Sequence, residues 1–533
     1  MTAVSENETL ASEQHQAQPV ADVAAPNRGR MQTGDEFLES LRDGREVWIY
    51  GERVQDVTVH PAFRNSARSL AGLYDALHDP ATRQVMTAPT DTGNGGLTHP
   101  FFKVARSKDD LRASREAIRT WQELVFGWMG RSPDYKASLI TGLGANPEYF
   151  GEFADNARYW YRETQERVLH IGHAIVHPPV DRARAAEDVK DVYVRVEKET
   201  DKGIIVSGAK VVATGSPTTQ YVYVSHAGAP LKDKSFAITF LAPTNGKGVK
   251  MISRASYEAV ATRAASPFDY PLSSRLDEND AVLIFDEALI PWENVLIYDP
   301  QKLAEFDSAS GWEGRAVLQA STRFGVKLDF FIGALSKALE ITGAGQFRGV
   351  QAGLGEVIGY RHAVNALRDG MIENATVGWG GTLDPNRAYG WAYASMASSM
   401  NRRIREIIET VVASGLIYLN SNAIDFQTPE MRPYLDRYLR GSNGKTALDR
   451  SKTMKLLWDA IGSEFGARHE LYEHNYFGQP ELCHLTLHEA ARTDGTLDHA
   501  RSLVENCMDQ YDLNGWTSNK LFSPDDVNFL KRG

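Results

Sequence analysis

The hydrophobic period of this chain changes twice, and that order limits the folds open to it. Up to about residue 167 the apolar residues recur every three or four positions. From about 168 to 297 they alternate or run in short blocks, and after Pro291 the helical spacing returns and holds. A helix buries a stripe and a strand buries alternate residues, so each change of period marks a change of architecture. An α+β chain is therefore expected. A disordered tail covers residues 1–30, a mainly helical domain 31–167, a β-barrel or sandwich 168–297, and a helical bundle with its tail 298–533.

Local signals support each part. Thr33 with Glu36 makes a capping box ahead of Phe37, Leu38 and Leu41. Leu70, Leu73, Tyr74 and Leu77 mark a second helix, and residues 108–129 a third, with Leu111, Ile118, Trp121, Leu124 and Val125 on one side. Residues 46–50 form a short extended piece. Strand-like runs follow at 192–197, 204–206, 221–224, 236–241 and 282–285. Leu328, Ile332, Leu335 and Leu339 then line one bundle helix, Ile404, Ile407, Ile408 and Val411 another, and Met454, Leu457, Trp458 and Ile461 a third.

A net charge of −11 argues against nucleic acid or an anionic membrane as partner. Two cysteines, Cys483 and Cys507, are too few for a four-cysteine cluster and suit a reducing compartment. No apolar run is long enough to span a bilayer, and the first 30 residues lack the apolar core of a signal peptide. A cytoplasmic protein is expected. Glycine-rich motifs fail on spacing. Gly343-Ala-Gly345 finds its third glycine one place late at Gly349, Gly142-Leu-Gly144 meets Pro147, and Gly444-Lys445-Thr446 has Leu439 where a phosphate loop begins. The chain thus has no evident site of its own for NAD(P)H.

Residues 168–182 hold three histidines in an apolar run, His170, His173 and His177. A helix would gather all three as metal ligands. Ile171, Gly172, Ile175, Val176 and Pro178-Pro179 favour a strand, in which His173 and His177 share a face and His170 points away. No metal site is expected. Arg131-Ser132-Pro133-Asp134-Tyr135 reads as a helix start, with Ser132 as N-cap, Pro133 at the first position, and Arg131 and Tyr135 able to face one pocket. Thr214 follows a strand among small polar residues that suit a flavin, a phosphate or a plain turn. Residues 459–465 interrupt a helical pattern, either because something docks there or because a helix ends.

These segments resemble one family. SLRDGREVWIYGER at 40–53, residues 60–80, RSPDY at 131–135, SGAKVVATGS at 207–216, SPFDYPLSSRLDEND at 266–280, PYLDRYLRGSNG at 433–444 and residues 462–476 are similar to the oxygenase components of two-component, reduced-flavin-dependent aromatic monooxygenases, the 4-hydroxyphenylacetate 3-hydroxylase and phenol hydroxylase family. The resemblance implies an acyl-CoA-dehydrogenase-like fold and a homotetramer. It implies ortho-hydroxylation of phenol, 4-hydroxyphenylacetate or another para-substituted phenol to a catechol. The co-substrates are O2 and reduced FAD, loosely bound and supplied by a separate NAD(P)H:flavin reductase. Arg131, Tyr135 and His173 would be the catalytic residues holding the phenolic oxygen, with Gly228 and Ala229 beside the substrate. His173, Pro179, Val180, Asp181, Arg182, Thr214, Gly462, Ser463, Glu464 and Phe465 would contact the flavin. The loop His226-Ala227-Gly228-Ala229-Pro230 departs from the family in having small apolar residues where hydroxyls can hold a substrate carboxylate, so a phenol without a carboxylate is equally consistent. An acyl-CoA dehydrogenase-type flavoenzyme on the same fold and a non-catalytic reduced-flavin carrier are the alternatives.

Overall fold

Two sheets stacked face to face hold the middle of the chain. The computed structural model describes residues 29–181, 183–226, 228, 231–517, 521–523 and 529–531. Most of the expected tail, together with Arg182 and Ala229, lies outside the described residues. One sheet runs in the order Glu52–Val54, Glu46–Ile49, Val249–Ser253, Asp280–Pro291, Gly203–Thr214, Arg195–Thr200. The other runs Val295–Tyr298, Ile238–Pro243, Tyr221–Val224, Ile171–Ala174. Phe240 of the smaller sheet meets Phe285 of the larger at 5.5 Å between ring centroids. Along Asp280–Pro291 the residues Ala281, Leu283 and Phe285 point inward, the register slips, and Ala288 and Ile290 point inward again. Glu287, at φ 50°, takes up the slip, so a bulge keeps both halves of a long strand facing the core.

The extended piece at 46–50 lies in the helical first third of the sequence but in the larger sheet in space. Glu46–Ile49 pairs in parallel with Val249–Ser253, Glu46 opposite Lys250, and Val47 and Ile49 are buried. Such a pairing joins residues some 200 apart and leaves no local trace in sequence.

The capping box opens Gly34–Ser40 as expected. Lys108–Leu124 is shorter than the expected 108–129, because Phe126 and Gly127 turn to φ 55° and 72°. Leu124 is consequently exposed, and Trp128 beyond the turn is fully buried. In the bundle, Trp312–Thr342 is the axis, packed by Arg348–Glu373, Arg387–Val412 and Ala447–Ile461. A fully buried ion triad crosses the bundle. Arg323 bonds both oxygens of Glu473 at 2.6 Å, and Lys327 Nζ lies 2.8 Å from Glu473 Oε1.

Candidate active site

The helix Pro133–Ala145 begins with a proline, whose missing N–H costs nothing at a helix start. Ser132 does not cap it by side chain, contrary to the sequence expectation. Its hydroxyl instead bonds Asp134 Oδ1 at 2.5 Å and receives Gln122 Nε2 at 2.8 Å. Asp134 is thereby held beneath the helix start, and burial pushes its carboxyl up to about 6.

Arg131 sits one residue before that helix start, and its main chain is clamped. Glu278 accepts the Gly130 and Arg131 N–H groups at 3.1 and 2.6 Å, and His170 Nε2 lies 3.1 Å from the Arg131 carbonyl oxygen. The guanidinium sits in the corner of two perpendicular rings, 3.9 Å from the Tyr135 centroid and 4.1 Å from that of Tyr476, with Tyr472 at 5.2 Å. Burial opposes its charge, but the three tyrosines and Glu278 more than offset this, so it stays cationic. Nη2 reaches the Tyr476 carbonyl at 3.4 Å, while Nε and Nη1 are buried with no hydrogen-bond partner among the described residues. Buried charged donors without acceptors are costly. Their presence marks a place for an oxygen atom.

His173 lies on the strand Ile171–Ala174, opposite Tyr223 in a parallel pair, with its ring 5.6 Å from that of Tyr135. Lys136, one residue past Tyr135, is 3% exposed and holds its ammonium 4.5 Å above the Tyr135 ring. Burial, then Lys136 and Arg131, drive His173 well below its ordinary pKa, which keeps the imidazole neutral. Burial, then Arg131, also push Lys136 well down. Two basic side chains, a neutral imidazole and a phenol thus converge, an arrangement suited to an oxygen that becomes anionic.

The flavin candidates divide. Val176 bridges Val211, and next to this bridge Val212 stands 59% exposed at φ 54°. Val176 and Val212 are exposed, as are Pro179, Val180 and Asp181 further along, and Thr214 is buried at the strand end. Thr214 donates to Asp280 at 2.6 Å, and Asp280 also receives Arg254 at 2.9 Å and Arg468 at 2.7 Å. Gly462–Phe465 does not join the pocket within one chain. Ala447–Ile461 ends there, Ser463 caps the next helix, Glu464–His474, and Asp459 receives the N–H groups of Leu272 and Ser273. The Phe465 side chain is buried 5.5 Å from Trp128 and 4.4 Å from His469, so it serves packing. Gly228 lies under the His226 ring, 3.4 Å from where a Cβ would stand.

The structure places Arg131, Tyr135 and His173 side by side, as the sequence reading expects of a shared pocket. The sequence reading missed Lys136, Glu278, Tyr472 and Tyr476, and it took His170 only to point away, not to support Arg131 from behind.

Models described as 4-hydroxyphenylacetate 3-hydroxylase N terminal and C terminal match residues 33–297 and 304–505. The chain is 51% identical to the 4-nitrophenol 2-monooxygenase oxygenase component of Rhodococcus sp, covering 96% of this chain and 98% of that protein. It is 52% identical to the 4-hydroxyphenylacetate 3-monooxygenase oxygenase component of Pseudomonas aeruginosa, over 94% and 97% of the two. A crystal structure of such an oxygenase component with FAD and 4-hydroxyphenylacetate superposes with a TM-score of 0.84 at 34% identity, covering 90% of this chain and 99% of that one. With both halves matched and identity sustained over nearly its whole length, the chain belongs to the 4-hydroxyphenylacetate 3-hydroxylase family.

Proposed function

We propose that this protein is the oxygenase component of a two-component, FAD-dependent aromatic monooxygenase that hydroxylates a phenol ortho to its oxygen, giving a catechol. The observation that carries this reading is the buried Arg131 guanidinium, set in the corner of two tyrosine rings with Nε and Nη1 unpartnered among the described residues. A phenolic oxygen placed there accepts both N–H groups. Arg131, which stays cationic, favours its anionic form, which makes the ortho carbon electron-rich. His173, held neutral, accepts the phenolic proton or shares it. Reduced FAD, when bound near Pro179–Asp181 and Thr214, would supply with O2 the electrophilic oxygen. Tyr135 and Tyr476 wall the pocket and keep water from the reacting atoms.

A separate NAD(P)H:flavin reductase belongs to this reading, since Gly343 and Gly345 lie in a turn between two helices and not after a strand. A homotetramer in the cytoplasm belongs to it as well. Leu482, Leu485, Leu503, Val504 and Met508 are exposed on Pro480–Thr493 and Thr496–Met508, more apolar surface than a lone chain usually leaves to water. No helix among the described residues is long and apolar enough to cross a membrane. The test is direct. Protein, chemically reduced FAD and O2 are mixed with a panel of phenols, and catechols are quantified. Absence of catechol from every phenol refutes the reading.

A further inference from the structure

Lys136 has no task in the chemistry above, and its surroundings are unusual for a lysine. It stands in the first turn of the helix Pro133–Ala145 and is buried there. A cation at that end of a helix meets the positive end of the dipole, and burial removes the water that would offset the cost. Its Nζ lies 4.5 Å from the Tyr135 ring centroid, and Arg131 Cζ lies 3.9 Å from the same centroid. The His173 ring is 5.6 Å from that ring. Three nitrogen-bearing side chains thus share one tyrosine ring.

The groups around Lys136 supply no counter-charge. Arg131 and Tyr135 flank it on the chain, His173 lies beside it on the strand Ile171–Ala174, and Tyr472 and Tyr476 stand against Arg131. The carboxylates of the adjoining elements are engaged elsewhere. Asp134 is bonded to Ser132 and Gln319, Glu278 to the main chain of Gly130 and Arg131, and Asp384 to Arg315 of the bundle helix. Among the described residues none pairs with Lys136, and its nitrogen has no hydrogen-bond acceptor. A lysine so placed gives up its proton readily and presents a lone pair, and burial with Arg131 holds Lys136 well below its ordinary pKa.

Two bases therefore compete for the phenolic proton. Lys136 and His173 are both held down by burial and by Arg131, so intrinsic basicity decides between them. An amine is the stronger base by about 4 pK units, and it is matched to a phenol, whose ordinary pKa is about 10.

We propose that Lys136 is the base of the hydroxylation. The inference rests on the phenol monooxygenase reading and adds a catalytic residue to it. The phenol O–H bond breaks, its proton passes to the lone pair of Lys136 Nζ, and the electron pair stays on the oxygen held by the Arg131 N–H groups. His173 keeps a hydrogen bond to that oxygen and remains neutral. The ring then gives an electron pair to the electrophilic oxygen that O2 and reduced FAD supply, and the new C–O bond forms at the ortho carbon. That carbon loses its own proton, which leaves in water with the second oxygen atom, and FAD is the oxidised product. Lys136 returns its proton to the phenolic oxygen and ends neutral.

The test is single-turnover hydroxylation against pH, with chemically reduced FAD and O2, in wild type, Lys136→Met and Lys136→Arg. Two substrates are compared. One is a weakly acidic phenol, phenol or 4-hydroxyphenylacetate, and the other is 4-nitrophenol, whose nitro group makes it ionise near neutral pH. Wild type hydroxylates the weakly acidic phenol at a rate that is flat across neutral pH. Lys136→Met slows it about 100-fold there, and the rate climbs with pH in step with the ionised fraction of the phenol. With 4-nitrophenol, ionised before it binds, the loss is about 10-fold or less. Lys136→Arg keeps a charge but offers no lone pair, so it is as slow as Lys136→Met, and both variants keep their affinity for reduced FAD. Unchanged rates, or equal slowing of both substrates at every pH, overturn the proposal. A rate restored by arginine makes Lys136 a standing cation and overturns it as well. Should neither variant fold, wild type decides alone, because a wild-type rate that itself rises with the ionised fraction of the phenol shows that no base in the pocket takes the proton. Catechol from no phenol in wild type refutes the monooxygenase reading, a failure distinct from these.

Discussion

Replacing Arg131 by methionine separates the chemistry from the scaffold. The main-chain bonds to Glu278 and His170 survive the change, and the methionine stem can pack in the corner of Tyr135 and Tyr476. The structural loss is three cation–π contacts, about 1.5–3 kcal/mol in sum, with the 3.4 Å bond from Nη2 to the Tyr476 carbonyl. The chemical loss is larger. Two buried N–H donors aimed at a developing oxyanion disappear, and removal of such a donor typically costs about 2–4 kcal/mol, or roughly a hundredfold or more in rate. Lysine restores a charge but not a planar fork, so Arg131→Lys recovers part of the rate only. The assay is a single turnover. Variant, reduced FAD, O2 and phenol are mixed, and catechol and hydrogen peroxide are quantified separately. Peroxide in place of catechol, with reduced-FAD binding retained, is the expected result. Normal catechol yield at a normal rate removes Arg131 from the site, and loss of flavin affinity alone reassigns it to the cofactor.

Three further outcomes follow from the geometry. Glu473→Gln leaves Arg323 and Lys327 buried without their carboxylate and lowers stability by about 3–5 kcal/mol, read as a fall in Tm. Because Arg323 and Lys327, acting against burial, hold Glu473 at about 2 instead of 4.5, its contribution is full above pH 4.5 and lost as pH falls through 2. The Tm gap between wild type and variant therefore closes on acidification, and a gap that widens contradicts the assignment. Exhaustive chelation leaves catechol formation intact, since His170 turns to the Arg131 carbonyl while His173 turns to Tyr135. Activity lost and then restored by a single metal counts against this. The purified chain with FAD but no reductase does not consume NADH at catalytic rates, because Gly343, at φ 72°, closes Trp312–Thr342 as a helix cap. Sustained NADH oxidation by the chain alone removes the two-component reading.

What was legible in sequence was local. The Thr33–Glu36 box, the proline-started helix, the strand character around His173 and the bundle stripes all arise from residues within a turn or two of each other. Arg131 and Tyr135 are four apart, so one helix start sets both. The Glu46–Ile49 pairing, the Glu278 clamp and the Tyr476 lid depend on partners 147 to 345 residues away, and no spacing encodes them. Lys136 was overlooked because a lysine after tyrosine looks like a solvated residue. Only the depth of the whole helix beneath the bundle makes it a buried one. At Gly462–Phe465 the sequence left two readings open. A break in a helical pattern signals an end as readily as a ligand, and here the Ser463 cap supplies the end.

The clamp on Arg131 also fixes when the pocket exists during synthesis. Both sheets are complete once Tyr298 has been made, and Glu278 is then already in place beneath Arg131. Tyr472 and Tyr476, which close over the guanidinium, are made some 340 residues after it. Until then the strands of both sheets exist without the rings that close over Arg131. Binding of a phenol therefore reports completion of the last helices, and a ribosome-bound chain stopped at residue 460 is expected to lack the pocket.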